Sequence, residues 1–356
     1  MSNFNKILSL HPYSLKKSEK KKIFNNEIIY LTKLHIKKCS LYLKILKNLN
    51  FKISFLKNYK DLPFLPVKIF KDFDLKSVSK NQIFKILRSS GTTSNNTSKI
   101  FLDKFNASNQ SKVLAKIVSS VLGQKRLPML IVDKNPVLED RKMFNASIAA
   151  INGFSVFGKN HTFLLNNSND EINYSLLNNF LKNHGKEKFL IFGFTYKIFE
   201  NLIKKINTKK ISSDFKNGVL LHGGGWKKLD KIRIDNKTFK QKLLKKLKLE
   251  NVYNYYGLVE QTGSIFLESK KCGYFHTSNF SDLIIRDKNF NELSNKEKGL
   301  IQLVSLLPTS YPGHNILTED VGEIIGEDDC KCGIPGKYFL VHGRTKQAEV
   351  RGCSDT

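Results

Sequence analysis

Between about residue 83 and residue 264 the chain alternates short apolar runs with amphipathic helical segments, and this alternation restricts the fold more than any other feature of the sequence. The pattern predicts strands at 83–87, 128–133, 189–194, 219–222 and 252–255, and helices at 109–122, 171–183, 196–206 and 238–247. Such alternation is typical of an α/β core with largely parallel strands. Ligands bind these sheets beyond the carboxyl ends of the strands, where the glycine-rich segments of this chain fall.

The two flanking segments have different patterns. Apolar residues recur at helical spacing over 23–49, and prolines interrupt the chain at Pro63 and Pro66. After Gly263 the helical patterns fade, and short strands are predicted at 283–285, 299–306 and 322–325. The sequence therefore predicts a helical N-terminal segment (1–82), an α/β core (83–264) and a smaller β-rich subdomain (265–356).

Composition excludes several classes of protein. The net charge is +29 over 356 residues, but the lysines are spread along the whole chain and no nucleic-acid-binding motif accompanies them, so we expect no nucleic-acid partner. A basic surface still attracts anionic ligands. No apolar run has the length of a membrane span, and Met1-Ser2-Asn3-Phe4 does not begin a secretory signal. Five cysteines do not indicate a disulfide framework, so we expect a soluble cytoplasmic protein.

A loop of hydroxyl residues and glycine, Ser89–Ser94, follows the first predicted strand. Backbone N–H groups and hydroxyls in such a loop can wrap phosphate oxygens. The spacing is not that of a Walker loop, and a polar linker is the alternative interpretation. The candidate phosphate ligands are Ser89, Ser90, Gly91, Thr92 and Thr93.

Two further motifs follow predicted strands. Glu260 lies behind Tyr256-Gly257, where a carboxylate can hold Mg²⁺ and the tyrosine can stack on a base. An ordinary glutamate at a strand end is the alternative. Gly224 and Gly225 follow the strand at 219–222, and successive glycines let a flat ligand or an acyl chain approach the backbone. A plain strand-to-helix turn is the alternative.

The cysteines divide into three kinds. Cys39 lies on the apolar face of the N-terminal helical segment and is predicted to be a core residue. Cys353 lies close to Arg351 near the chain end, and that charge would raise the thiolate fraction of a nucleophile; a passive chain end is the alternative. The remaining set could form a closed structural zinc site or be free thiols on turns. Its members are Cys272, His276, Cys330 and Cys332.

Taken in order, the motifs indicate ATP-dependent activation of a carboxylic acid, and they resemble the signatures of the adenylate-forming superfamily, which includes acyl-CoA synthetases and firefly luciferase. The Ser89–Ser94 loop resembles its phosphate loop, and Tyr256-Gly257 with Glu260 resembles its Y-G-x-x-E motif. Asp320 resembles its ribose-binding aspartate. Arg344 resembles the arginine that also contacts the ribose, just before the hinge.

A closer resemblance covers nearly the whole chain. It is carried by Pro12–Leu15, Leu31–His35, Leu62–Val67, His222–Lys227 and Arg351–Cys353. These segments are similar to the acyl-protein synthetases, the ligase subunits of the bacterial bioluminescence fatty-acid reductase. The resemblance implies an adenylate-forming core with layered α/β subdomains and a smaller β-rich subdomain, without the full C-terminal lid domain.

The same resemblance implies the activity. A fatty acid and ATP, with Mg²⁺, would give an acyl-adenylate in the 83–264 core, and Cys353 would take the acyl group as a thioester. The acyl group would then pass to a partner reductase or carrier protein.

The chain also departs from these patterns. Ser94–Lys99 replaces the glycine, proline and lysine that usually follow the phosphate loop, and the hinge region reads Thr345–Gln347 where an acidic residue is common. The chain stops where most superfamily members begin a domain with a catalytic lysine. Two alternatives therefore stay open. One is an adenylating ligase for an aryl or amino acid in surface-polysaccharide or natural-product synthesis, and the other is a degenerate nucleotide-binding scaffold.

Overall fold

The computed structural model describes residues 2–89, 97–136, 146–226, 229 and 232–345. Its helices are α1 (Ser2–Ser9), α2 (Lys17–Lys38), α3 (Ser40–Asn48), α4 (Ile69–Asp72), α5 (Lys104–Leu122), α6 (Ala146–Phe154), α7 (Tyr174–His184), α8 (Thr195–Ile198), which continues as a π-helix (Phe199–Lys205), and α9 (Asn236–Leu247). Its strands are β1 (Leu65–Pro66), β2 (Lys85–Arg88), β3 (Lys99–Leu102), β4 (Leu127–Ile131), β5 (Gly158–Phe163), β6 (Phe189–Phe194), β7 (Gly218–Gly223), β8 (Asn251–Tyr256), β9 (Phe266–Glu268), β10 (Phe275–His276), β11 (Ser281–Arg286), β12 (Gly299–Ser305), β13 (Asn315–Glu327) and β14 (Lys337–Arg344). None of the described helices combines the length and the apolar character needed to cross a membrane.

The described chain forms two compact units, each assembled from separate chain segments. The first unit contains residues 2–89, 97–120 and 257–345. The second contains the described residues between 121 and 256. The sequence-based division into 1–82, 83–264 and 265–356 describes consecutive segments of the chain. Compact units in space need not be consecutive, so this division stays a prediction.

The second unit is built on a parallel sheet in the order β5-β4-β6-β7-β8. Every residue of the central strands β6 and β7 is buried, as expected when helices cover both faces of a parallel sheet. Phe180 of α7 and Phe239 and Leu243 of α9 belong to the core cluster that includes Ile191 and Leu220. The α/β fold class and the parallel strands predicted from the alternating pattern are therefore confirmed.

The first unit contains mostly antiparallel strands, in the order β11-β12-β13-β14-β10-β9, with β1 parallel to β13 and a separate β2–β3 hairpin. Its helices α2 and α3 supply part of a core in which Tyr42 and Leu46 join Phe70, Tyr311 and Ile316. The strands predicted after Gly263 correspond to part of the series from β9 to β14.

The helical run predicted over 23–49 is interrupted at Cys39. This residue has an extended backbone (φ −123°, ψ 98°) and separates α2 from α3. No glycine or proline marks the break in the sequence. Cys39, 3% exposed, lies in the core with Tyr42 and Leu46, as predicted, and burial raises the pKa of its thiol. Tertiary packing thus sets this helix boundary.

A buried ionic network connects α2 with the strands of the first unit. Lys337 Nζ donates to Asp282 Oδ2 at 3.0 Å, Tyr59 Oη also donates to this carboxylate, and Lys20 Nζ donates to Thr277 Oγ1 at 2.8 Å. Burial alone would raise the pKa of Asp282, but the charges of Lys337 and Lys20 outweigh it and lower the pKa to about 2. The carboxylate therefore stays charged and holds its donors together.

Two neutral histidines lie in the same unit. The rings of His35 and His314 stack at 5.0 Å, and the Pro308 carbonyl lies 3.1 Å from His35 Nε2. A carbonyl can only accept, so Nε2 carries the proton and Nδ1 accepts from Ser77 Oγ at 2.7 Å. Burial lowers the pKa of His35 to about 3 and the pKa of His314 well below its ordinary value.

These two histidines make the fold sensitive to mild acid. Their folded pKa values lie below the unfolded value of about 6.5, so the unfolded chain binds more protons and stability falls as pH drops below that value. We expect the free energy of unfolding to fall by roughly 1–2 kcal/mol per histidine between pH 7.5 and pH 5.0. Urea unfolding at pH 7.5 and at pH 5.0 measures this free energy. His314→Gln should weaken the pH dependence, whereas His11→Gln, at an exposed position, should keep it. An unchanged dependence in His314→Gln would contradict this origin.

Candidate functional site

The glycine turn and Tyr256 lie at the same edge of the parallel sheet. β7 ends at Gly223 and β8 ends at Tyr256, and Gly223 is paired with Tyr255. Gly224 has φ +79°, in the left-handed region that favours glycine. A Cβ at this position would lie 3.2 Å from Phe194 Cδ1. The turn therefore needs glycine, and it leaves exposed backbone at the edge where α/β sheets bind ligands.

An aromatic cluster packs beside this turn. The ring of Phe154 lies 4.7 Å from Phe192 and 4.9 Å from Tyr255, measured between centroids. Phe194 follows on the same strand and lies 6.2 Å from Phe192. The carboxyl edge of the sheet is therefore backed by apolar side chains.

Trp226, the only tryptophan of the chain, packs beyond the glycine turn. Its ring meets Phe199 at 4.9 Å and Phe239 at 6.1 Å, both edge to face. It is partly buried against the core of the second unit, so it holds the end of the glycine turn in place.

His222 precedes the glycines and is held in one tautomer. Thr195 Oγ1 donates to the Gly223 carbonyl at 3.1 Å, so the hydroxyl must accept from His222 Nδ1–H at 2.9 Å. Burial lowers the pKa of His222 to about 3. The ring is therefore neutral at pH 7 and packs as a fixed element beneath the turn, with Phe239 at 4.9 Å.

In the first unit, the predicted phosphate loop has a fixed base. Strands β2 and β3 pair antiparallel up to Arg88 and Lys99. Beyond them, the Ser89 N–H donates to the Ser98 carbonyl at 3.1 Å and the Ser98 N–H donates to Ser89 Oγ at 2.9 Å. Lys99 Nζ pairs with Asp74 Oδ1 at 3.2 Å. The other predicted phosphate ligands lie outside the described residues: Ser90, Gly91, Thr92 and Thr93.

Glu260 is a buried carboxyl group in the 3₁₀ turn Val259–Gln261, only 5% exposed. Burial raises its pKa, and the side chain of Ser98 partly offsets this effect. The charges of Lys71 and Arg344 act in the same direction as Ser98. Tyr311 Oη donates to the Glu260 backbone carbonyl at 2.8 Å, which fixes the turn. The carboxyl group is therefore held in one place, where burial opposes its charge and Ser98, Lys71 and Arg344 favour it.

Gly257 lies between Tyr256 and this turn. A Cβ at Gly257 would lie 3.1 Å from Ile265 Cγ2, closer than most side chains tolerate. Close packing against Ile265 therefore explains why the predicted motif has glycine at position 257.

Asp320 and Arg344 are brought together by the register of β13 and β14. They are paired residues of the two strands, and Arg344 Nε lies 3.8 Å from Asp320 Oδ1. The Asp320 N–H donates to Thr318 Oγ1 at 3.1 Å, and the Thr345 N–H donates to the Glu319 carbonyl at 3.0 Å. The two predicted ribose ligands thus share one end of a strand pair.

The predicted metal ligands of the first unit also converge. Their ligand atoms all lie within 4.8 Å of one another. The members are Cys272, His276, Cys330 and Cys332. Cys353, the predicted nucleophile, lies outside the described residues.

Sequence reasoning did not single out Ser98, Lys71 or Thr195. Ser98 and Lys71 act on Glu260 from more than 150 positions earlier in the chain, and Thr195 is 27 positions from His222. Only Thr195 carried a signal, because it directly follows the apolar run of β6 and so falls at the carboxyl end of a strand.

Comparisons with known proteins identify the family and the fold. A family model described as "Acyl-protein synthetase, LuxE" matches residues 2–356. The chain belongs to the acyl-protein synthetase family. No curated protein sequence matches the chain.

Solved structures of 2-hydroxyisobutyryl-CoA ligase share the fold of this acyl-protein synthetase family member. The postadenylation state with R3-HIB-AMP aligns with a TM-score of 0.70 at 12% identity, over 94% of this chain and 69% of that chain. An open conformation with 2-HIB-AMP and CoA aligns with a TM-score of 0.72 at 12% identity, over 93% and 71%. These likenesses confirm the predicted core fold of an adenylate-forming ligase.

The hydrogen bonds of Thr195 test the support of the glycine turn. Thr195→Val leaves His222 Nδ1–H buried without its acceptor, so we expect the free energy of unfolding to fall by about 1–3 kcal/mol. Thr195→Ser keeps the hydroxyl and should lose clearly less. Urea unfolding followed by the fluorescence of Trp226, in the same unit, measures both variants. Equal losses in the two variants would show that the hydroxyl contributes nothing.

Proposed function

We propose that the protein is an acid–thiol ligase that uses ATP to activate a long-chain fatty acid and then carries the acyl group on Cys353. The observation that carries this proposal is the family match over residues 2–356. The pairing of Asp320 with Arg344 supports it, because two residues predicted from separate motifs lie 3.8 Å apart.

Each nucleotide-binding motif has a proposed role. The loop that begins at Ser89 would wrap the phosphates, with Ser90, Gly91, Thr92 and Thr93 as donors. Asp320 would accept from the ribose hydroxyls and Arg344 would donate to the ribose. Gly224 and Gly225 would let the nucleotide or the acyl group approach the backbone, and Tyr256-Gly257 would lie against the base.

Glu260 fits a role as a ligand for Mg²⁺. Mg²⁺ prefers oxygen ligands and is often held by one or two carboxylates together with substrate phosphates. A buried carboxylate whose pKa is raised by burial gains more from a nearby cation than an exposed one. When bound, the ion would neutralise charge on the phosphates.

The proposed reaction has two group transfers. A carboxylate oxygen of the acid forms a bond to the α-phosphorus of ATP as the bond to pyrophosphate breaks, which gives an acyl-adenylate. The Cys353 thiolate then forms a bond to the acyl carbon, and AMP leaves with the electrons of the C–O bond. The proton of the Cys353 thiol goes to solvent.

The acid class and the acceptor are the finer parts of the proposal. The aromatic cluster of Phe154, Phe192, Phe194 and Tyr255 favours an apolar acyl group over a charged one. The acceptor would be a partner reductase or a carrier protein, and the protein would work in the cytoplasm, where ATP is available. Aryl and amino acids stay as alternatives, and 2-hydroxyisobutyryl-CoA ligase adds a short hydroxy acid to the panel worth testing.

The first test is acyl transfer to the protein itself. Incubation with ATP, Mg²⁺ and radiolabelled palmitate should give hydroxylamine-sensitive label on the wild type and none on Cys353→Ser, because a thioester requires the thiol. Cys39→Ser serves as a control at a buried cysteine and should keep the label.

Other results of the exchange and labelling assays would distinguish the alternative functions. Pyrophosphate exchange with aryl or amino acids but not with fatty acids would overturn the acid class. Exchange without protein label would overturn the role of Cys353. ATP binding without exchange would support the degenerate scaffold.

Glu260→Gln tests the role of the buried carboxylate. We expect ATP–pyrophosphate exchange to fall at least roughly 100-fold, corresponding to about 3 kcal/mol of lost transition-state stabilisation, with partial recovery at high Mg²⁺. Glu268→Gln is the matched control, because Glu268 is also buried but lies on β9, outside the proposed site. Unchanged exchange in Glu260→Gln at ordinary Mg²⁺ concentrations would remove Glu260 from the site.

A further inference from the structure

Four side chains that ligate soft metals meet at one end of the first unit. Cys272 lies between β9 and β10, and His276 is the last residue of β10. Cys330 and Cys332 lie in the turn between β13 and β14. The two pairs lie 54 to 60 positions apart in the chain, so local sequence does not bring one pair to the other.

Strand pairing explains why the two turns are neighbours. β10 pairs antiparallel with both β9 and β14, and His276 is opposite Tyr338. The Tyr338 ring stacks on the His276 ring at 5.8 Å with an interplanar angle of 23°. The imidazole is therefore held in place, with Nε2 facing the sulfur atoms.

The four ligand atoms lie close enough together to share one metal ion. His276 Nε2 lies 3.3 Å from Cys272 Sγ, 3.8 Å from Cys330 Sγ and 3.4 Å from Cys332 Sγ. The sulfurs of Cys330 and Cys332 lie 3.3 Å apart. Zn–S and Zn–N bonds of about 2.3 and 2.0 Å at tetrahedral angles place ligand atoms roughly 3.5–3.8 Å from one another. A sulfur–sulfur distance of 3.3 Å is also much longer than a disulfide bond of about 2.05 Å.

We propose that Cys272, His276, Cys330 and Cys332 bind one structural Zn²⁺ ion. Three thiolates and one imidazole fill the four positions of a tetrahedral ion, so no position remains for water or substrate. The ion would join the β9–β10 turn to the β13–β14 turn. Two of the ligands are buried and two are half-buried, which suits an ion that is held rather than exchanged.

The place of the cluster in the strand pair separates it from the proposed nucleotide site. At the cluster end of β13 and β14, Glu327 is paired with Lys337, and at the other end Asp320 is paired with Arg344. Arg344 lies seven positions after Lys337 in β14, which is about 23 Å at the rise of a strand. Loss of the ion should therefore reduce stability much more than it changes nucleotide chemistry.

Metal analysis of the full chain tests the proposal. The protein is expressed without a polyhistidine tag, exchanged into metal-free buffer and analysed by mass spectrometry for metals. We expect one equivalent of zinc per wild-type chain and less than about a tenth of that in Cys330→Ser and Cys332→Ser. Lys331→Ala is the matched control, because Lys331 is exposed in the same turn and should keep the full equivalent.

A second measurement uses the wild type alone, so that a poorly folding variant does not decide the outcome. Titration with p-hydroxymercuribenzoate in the presence of a zinc-sensitive dye should release one equivalent of zinc as the thiols react, and Tm should fall by about 5 °C or more. ATP binding by the zinc-free protein below its Tm should change less than about twofold. Wild-type protein without zinc, a different metal at one equivalent, or full zinc in Cys330→Ser would each overturn the proposal.

Discussion

The antiparallel register between β13 and β14 is the constraint on which most of the first unit depends. It places Arg344 opposite Asp320 at one end and carries the Cys330 and Cys332 turn at the other. β13 is also paired with β12 and β1, so its position is fixed from both sides. A shift of one residue would turn the side chains of β14 to the opposite face and separate the ionic pair. One strand pairing therefore positions two chemically different groups.

Sequence periodicity predicted the central strands of the parallel sheet, but it did not predict the buried strands β3, β9 and β10. β6 and β7 contain the apolar runs Phe189–Phe192 and Val219–Leu221, so they were predicted within one residue of their observed ends. β5 was missed because its residues are mostly polar, as befits an edge strand with one partner. The break at Cys39 was missed for a different reason, since packing of α2 and α3 creates it without any helix-breaking residue.

Candidate site residues could be predicted where a motif lies at the end of a strand that is itself visible in the sequence. Tyr256 ends β8 and Gly224 follows β7, and strand ends can be seen in the sequence. The neighbours that tune those residues could not be found in this way. Ser98 and Lys71 reach Glu260 through tertiary packing, and no spacing rule connects positions so far apart. The set of three cysteines and one histidine could be predicted from the sequence because few residue types ligate zinc. Even members that are far apart in the chain can therefore be recognised as one combination.

The two hydrogen bonds between Ser89 and Ser98 have a consequence for binding. Bringing the ends of a flexible segment together has an entropic cost that grows with segment length. Here the β2–β3 ladder has already joined the two ends when the protein folds. The binding energy of a ligand that contacts the intervening residues is therefore not spent on bringing Ser89 and Ser98 together.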